Sequence, residues 1–168
     1  MVPPTIPLPQ TILLLYDSTG NLLHVTSTHP PDTREGVFGL PAWHALNDKD
    51  ALVCQGAILR CSATGQPQTF ESDVPSLGRW RTTLHACRVG KVRLIGMARK
   101  VPESVTALTD RQRQICSMLA SGMSSVQIGK SLDRARETID NHRAQIAKRI
   151  GIEPWSLVAW CGENREWF

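Results

Sequence analysis

Catalytic machinery is what this chain most plainly lacks. No nucleophile–base pair, no glycine-rich phosphate loop and no phosphoacceptor arrangement of the receiver kind can be found, which argues against an enzyme. The cysteines, at 54, 61, 87, 116 and 161, are odd in number and without C-x-x-C spacing. That excludes a ready disulfide framework or zinc site and leaves mostly buried thiols, with no metal and no cofactor expected. No run of 18 apolar residues exists, so no membrane partner is expected. The first residues, MVPPTIPLPQ, have neither the basic start nor the cleavage site of a signal peptide, and the expected location is cytoplasmic. With 168 residues, 41% hydrophobic and a net charge of +4, the chain has material for two modest cores.

Four prolines in residues 1–10 read as an extended arm. Ile12 to Tyr16 and Leu22 to Thr26 then read as a β-hairpin, with Asp17, Gly20 and Asn21 supplying the turn. Residues 27–40, with Pro30-Pro31 and two glycines, read as loop. A short helical piece is expected at Trp43 to Leu46. Asn47 or Asp48 can cap a clearer helix from about Asp50 to Cys61, with Leu52, Val53, Ala57, Ile58 and Cys61 inward. Beyond the breaker at residues 64–67, three strands follow at Gln68–Ser72, Trp80–Cys87 and Val92–Arg99. His44, His85, Cys54 and Cys61 are isolated, and as such read as ordinary core or surface residues rather than ligands of a prosthetic group. Between Arg79 and Lys100 stand seven basic residues and no acidic one. These form either a surface for DNA backbone or an acidic partner, or the solvated face of an alternating sheet, and the last reading needs least.

This α+β order resembles a PAS sensory domain over about residues 11–100. The resembling residues are Tyr16 to Gly20, Asn47 to Asp50, Ala63 to Pro67, Gly78-Arg79-Trp80 and Ile95 to Ala98. The resemblance implies a signal, either a small molecule or a protein. Residues 101–107 then read as a linker.

The segment from Leu108 onward carries the most information. Thr109 and Gln112 have capping-box spacing before an apolar run that includes Ile115, Met118 and Leu119, and Ser121-Gly122 ends that helix. Ser124 or Ser125 caps a second helix, with Val126, Ile128 and Leu132 inward and Gly129 allowing close approach. After a tight turn, a third helix from Arg136 to Ile150 places Ile139, Ile146 and Ile150 on one face. Asp140, Asn141, Arg143, Ala144, Lys148 and Arg149 are left outside. Gly151 stops it, and Pro154 opens a fourth helix through Trp155, Leu157, Val158 and Trp160. From Arg111 to Arg149 there are eight basic and three acidic residues, a balance suited to phosphate. This is the plan of a helix-turn-helix.

The segment resembles the LuxR-type (GerE-like) DNA-binding domain of bacterial transcription regulators. The matching residues are Leu108-Thr109-x-Arg111, Ile115, Leu119, Gly122, Ser124, Ile128, Leu132, Thr138-Ile139-x-x-His142, Ile146, Ile150-Gly151 and Leu157 to Trp160. The similar region of sigma factors lacks the His142 position and the last four residues. Expected, then, is a PAS-like domain, an antiparallel sheet with short helices, followed at 108–168 by an all-α four-helix LuxR-type domain. The resemblance implies double-stranded DNA as partner, read in the major groove by a homodimer. Asp140, Asn141 and Ala144 would face base edges, and Asn141 suits adenine. Ser124, Arg136, Thr138, Arg143, Lys148 and Arg149 would meet the backbone, while Trp155, Leu157, Val158 and Trp160 would form the dimer contact. His142 reads as packed between helices.

Four positions depart from the family. Its turn usually runs Gly, an aliphatic residue, then a capping Ser or Thr, where this chain has Asp133, Arg134 and Ala135. Ala135 cannot cap, at a cost of about 1 kcal/mol relative to Ser. Asp140 puts a carboxylate where the family often presents a basic or polar residue. The alternative reading is an interaction or ligand-binding module whose helix-turn-helix has lost DNA binding.

Overall fold

A computed structural model describes residues 11–27, 39–75 and 77–168. The proline-rich arm at 1–10 and most of the loop expected at 27–40 lie outside the described residues. The chain divides into two units, residues 1–101 and 102–168.

The first unit is built on five antiparallel strands in the order β2-β1-β5-β4-β3. They span Thr11–Tyr16 (β1), Leu22–Ser27 (β2), Gln68–Val74 (β3), Gly78–Val89 (β4) and Val92–Lys100 (β5). The β1–β2 turn is closed by the Asp17 carboxylate, whose Oδ1 accepts from the backbone N–H groups of Thr19 (2.8 Å) and Asn21 (2.9 Å). Helix α1, Asp48–Thr64, crosses one face. Asn47 caps it by accepting from Asp50 N–H, and Asp50 Oδ2 accepts in turn from Asp73 N–H at 2.8 Å, which ties the helix start to β3.

The inward line of α1 is Cys54, Ala57, Ile58 and Cys61, at i, i+3, i+4 and i+7. Leu52 and Val53, expected inside, face out at 70% and 40% exposure. The reason is a matter of size. Helix and sheet approach closely when the helix presents small side chains, and the bulk of the core comes from Tyr16, Phe70, Leu84 and Leu94 on the strands. Burial pushes the Cys54 thiol up to about 12, so it is an unreactive packing group. The helical piece expected at Trp43 to Leu46 is a pair of turns instead, with His44 N–H bonded to Pro41 C=O and Leu46 N–H to Trp43 C=O.

The basic run on β4 and β5 is answered from β3. Arg79 Nε and Arg81 Nη2 both reach the Glu71 carboxylate, at 2.7 and 2.6 Å. Burial works to raise the Glu71 pKa, but the hydrogen bonds from Arg81 and Arg79 outweigh it and hold the carboxyl below its usual range.

The second unit contains α2 (Glu103–Thr106), α3 (Asp110–Ala120), α4 (Ser125–Leu132), α5 (Arg136–Ile150) and α6 (Leu157–Glu163), with a 3₁₀ turn at Pro154–Ser156 before α6 and another at Arg165–Trp167. The stretch 101–107, read from sequence as a linker, thus carries the short helix α2, whose Val105 is fully buried. Thr109 and Gln112 form the capping box of α3, and Ser124 and Gln127 that of α4. Ile115, Ile128, Ile139, Ile146 and Leu157 are completely buried against one another. Val126, expected inward, is 46% exposed. The buried line of α4 runs through Ser125, Ile128 and Gly129, so Val126 lies a quarter turn and more to the outside.

Candidate nucleic-acid interface

Helices α4 and α5 meet across a turn whose geometry depends on Gly129. A Cβ at that position would stand 2.6 Å from Arg134 C=O and within 3.7 Å of Ala135 C and Arg136 N. What Gly129 admits is therefore the backbone of the turn rather than a second helix. Asp133 takes the left-handed conformation that the family usually gives to glycine, at φ 51°, the one positive-φ non-glycine residue among those described. Aspartate tolerates this region better than most side chains. Ala135 occupies the N-cap position of α5 and makes no side-chain cap bond. A depression of about 390 Å³ beside the turn is lined by Lys130, Arg134 and Arg136 among others.

On α5 the buried residues are Ile139, Ile146 and Ala147, and these fix which side faces solvent. The most outward row is Glu137, Asn141, Ala144 and Lys148, spaced i, i+4, i+7 and i+11, and all four are exposed. Asn141 and Ala144, expected at base edges, and Lys148, expected at the backbone, therefore share one line. Sequence reasoning passed over Glu137 and Gln145; both are exposed on this side, and the helical period marked from Ile139 and Ile146 identifies them.

The other expected contact residues are placed differently. Arg149 turns back, donating from Nη1 to Gln112 Oε1 at 2.9 Å and to Ala107 C=O at 3.2 Å, so its guanidinium clamps α5 to the start of α3. The Ser124 hydroxyl is occupied in the cap of α4. Thr138 lies half-buried in the first turn of α5. His142 is also half-buried, and its Nδ1 is buried with no hydrogen-bond partner.

Asp140 does not stand free toward a base edge. It lies on the flank of the outward row, in line with Arg136 and Arg143. Arg136 Nε donates to Asp140 Oδ2 at 3.2 Å, and Arg143 Nη1 lies 3.8 Å from Asp140 Oδ1. The same Arg143 nitrogen donates to the hydroxyl of Ser125 at 2.7 Å. A hydrogen bond from Ser125, followed by those of Arg136 and the charge of both arginines, holds the Asp140 carboxyl below its ordinary range. The carboxylate, the two guanidinium groups and the hydroxyl at the start of α4 form one connected group.

The four residues expected at a dimer contact divide in two. Leu157 is completely buried in the unit's own core. Trp160 is half-buried and packs against Phe168, ring centroids 5.7 Å apart and tilted by 52°. Trp155, 81% exposed, and Val158, 45% exposed, face outward. The amphipathic period of a short helix allows one apolar side only, and that side is taken by the core.

Comparison with known proteins agrees with this geometry. Residues 106–155 match the family described as bacterial regulatory proteins, luxR family. This segment is a LuxR-type helix-turn-helix domain, and the family is regulatory rather than enzymatic. No curated protein sequence matches the chain. Among solved structures, VqmA of Vibrio cholerae, determined as a ligand and DNA complex, superposes with a TM-score of 0.53 at 12% identity, covering 96% of this chain and 85% of that one. A phage VqmA–DPO complex has a TM-score of 0.47 at 12% identity, covering 96% and 84%. The first likeness shows the same order of folds, a PAS-like sheet unit followed by a LuxR-type helical unit. Among the described residues, no helix is long and apolar enough to cross a membrane.

Proposed function

We propose that this transcription regulator acts in the cytoplasm as a homodimer on double-stranded DNA, with its PAS-like unit receiving a small-molecule or protein signal. The observation that carries the proposal is the outward row of α5. A helix anchored by Ile139 and Ile146 presents Asn141, Ala144 and Lys148 together, in a domain with an excess of basic residues. Asn141 offers the donor and acceptor pair that matches adenine, Ala144 keeps the helix close to the base edges, and Lys148 lies within reach of the backbone. Arg136, Arg143 and Thr138 flank this row.

Trp155 and Val158 are the apolar groups that a second copy would cover. In the PAS-like unit, Trp80 Nε1 is buried without a hydrogen-bond partner, and its cross-strand neighbour Ser72 is buried as well. A buried donor left open costs about 1–3 kcal/mol, which a ligand acceptor would recover. That the Vibrio cholerae VqmA structure holds both ligand and DNA is in keeping with this arrangement.

The test is selection of bound duplexes by the full chain from a random library at about 0.1 M salt, where screening still permits phosphate contacts. A two-fold symmetric sequence is expected. Lys148→Ala should weaken all duplexes alike, whereas Asn141→Ala should relax preference at one base position. Failure of the folded chain to enrich any sequence, or to bind DNA at all, would leave the interaction-module reading in its place.

A further inference from the structure

A carboxylate on the DNA-facing side of a recognition helix is repelled by phosphate, and Asp140 is the feature of this helix that the reading above does not absorb. Its surroundings explain it. Arg136, Asp140 and Arg143 follow at i, i+4 and i+7 on one flank of α5, so the carboxylate lies between two guanidinium groups. Arg143 is also held from the other side, by the buried Ser125 at the first turn of α4. Arg136 Nε and Asp140 Oδ2 make a donor–anion contact of the kind an arginine makes with a phosphate oxygen.

We infer that Asp140 stands in for a DNA phosphate in the free protein, occupying Arg136 and Arg143 until the phosphates of a bound duplex take them over. The inference rests on the DNA-binding reading. It assigns Asp140 no base. Such a latch must be weak to be useful, and this one is: Arg136 and Asp140 retain 66% and 44% of their side-chain exposure, the regime in which ion pairs contribute little. A duplex offering several phosphates displaces it, whereas a single contact at the wrong register does not repay its loss. Asp140 is thus a positioning residue that lowers affinity for every sequence while keeping the two arginines aligned for the backbone.

Asp140→Asn tests this, because asparagine keeps the shape and an acceptor for Arg136 but removes the charge. Equilibrium binding of the full-length protein to a selected duplex and to an unrelated one would be followed between about 0.05 and 0.4 M salt, where the logarithmic slope counts phosphates engaged. The variant should bind both duplexes more tightly, by roughly eightfold at 0.1 M salt for each additional phosphate neutralised, with a slope steeper by about one to two. In parallel, the Nε–Hε resonance of Arg136 in the free protein should move on substitution and, in the wild type, on addition of duplex.

Equal slopes with a changed preference at one base pair would make Asp140 a base-reading residue and overturn the inference. Weaker binding of both duplexes by the folded variant would overturn it too. If neither protein binds any duplex while the Arg136 resonance still responds to the substitution, the DNA reading fails and takes the release step with it. Binding by both proteins with identical slopes defeats the latch alone.

Discussion

Gly129→Ala separates a turn set by backbone contact from one set by helix propensity. On propensity alone, alanine in a helix is favoured over glycine by about 1 kcal/mol. Against this stands the 2.6 Å approach of a Cβ to Arg134 C=O, with Ala135 C and Arg136 N close behind. Ordinary contact for a Cβ begins at 3.4 Å, so the turn must retreat by more than half an ångström. The obstacle is main chain joining two packed helices, not a flexible side chain. Overpacking of this kind costs about 1–3 kcal/mol, which cancels the propensity gain and leaves a net loss of up to about 2 kcal/mol. The strain falls where α5 begins, so Ala135, Arg136 and Thr138 move together. Hydrogen exchange of the α4 and α5 amides in the full chain reads the local loss, and duplex affinity reads the displacement of the helix. Gly162→Ala is the control: a Cβ there meets nothing within 4 Å, so the substitution should stabilise by up to about 1 kcal/mol. Equal protection in the two variants would refute the reasoning.

Four further outcomes are expected. Ala135→Ser supplies the missing cap of α5 and should raise stability by about 1 kcal/mol in thermal or denaturant unfolding. Leu157→Ala should lower stability by about 2–5 kcal/mol because the side chain is wholly buried. Trp155→Ala should leave stability within about 0.5 kcal/mol and instead shift the sedimentation of the full chain toward monomer. Glu71→Gln should cost about 1–3 kcal/mol at neutral pH, since two arginines lose their charged partner. The folded-state pKa of Glu71 is depressed, so its contribution is complete above the unfolded-state value and fades as pH falls through the folded one. Unfolding curves of variant and wild type should accordingly begin to approach each other as pH falls below the unfolded-state value of about 4.3 and meet only below the folded-state one, and a difference unchanged by acidification would contradict the pairing.

Linear order alone was enough to read the helix-turn-helix. Its caps are made by neighbours three residues apart, as at Thr109–Gln112 and Ser124–Gln127, and its core follows the helical period of large aliphatic residues. The same rule misled in α1, where the inward line consists of two cysteines, an alanine and one isoleucine while Leu52 faces out. Size and hydrophobicity do not say which side of a helix meets a sheet when both sides carry apolar residues. Across the 3₁₀ turn at Pro154–Ser156 and α6, the four apolar residues expected together were divided by the core, which took Leu157 and left Trp155 outside.

Charge followed a similar course. The excess of basic residues along α3 to α5 is visible in the residue order, because a balance of charge is a sum that no fold alters. Which of those charges are available is not visible there. Arg149 is spent on Ala107 and Gln112, Arg79 and Arg81 on Glu71, and Arg136 and Arg143 share Asp140, with Arg143 also held by Ser125. Five of these pairings span from 8 to 42 positions, beyond the reach of any local pattern. Local hydrogen bonding and hydrophobic period thus dictate the helices and the outward row of α5 from residue order alone. Only packing decides which polar groups are matched within the protein and which remain for a partner, since that depends on what folding brings within about 3 Å.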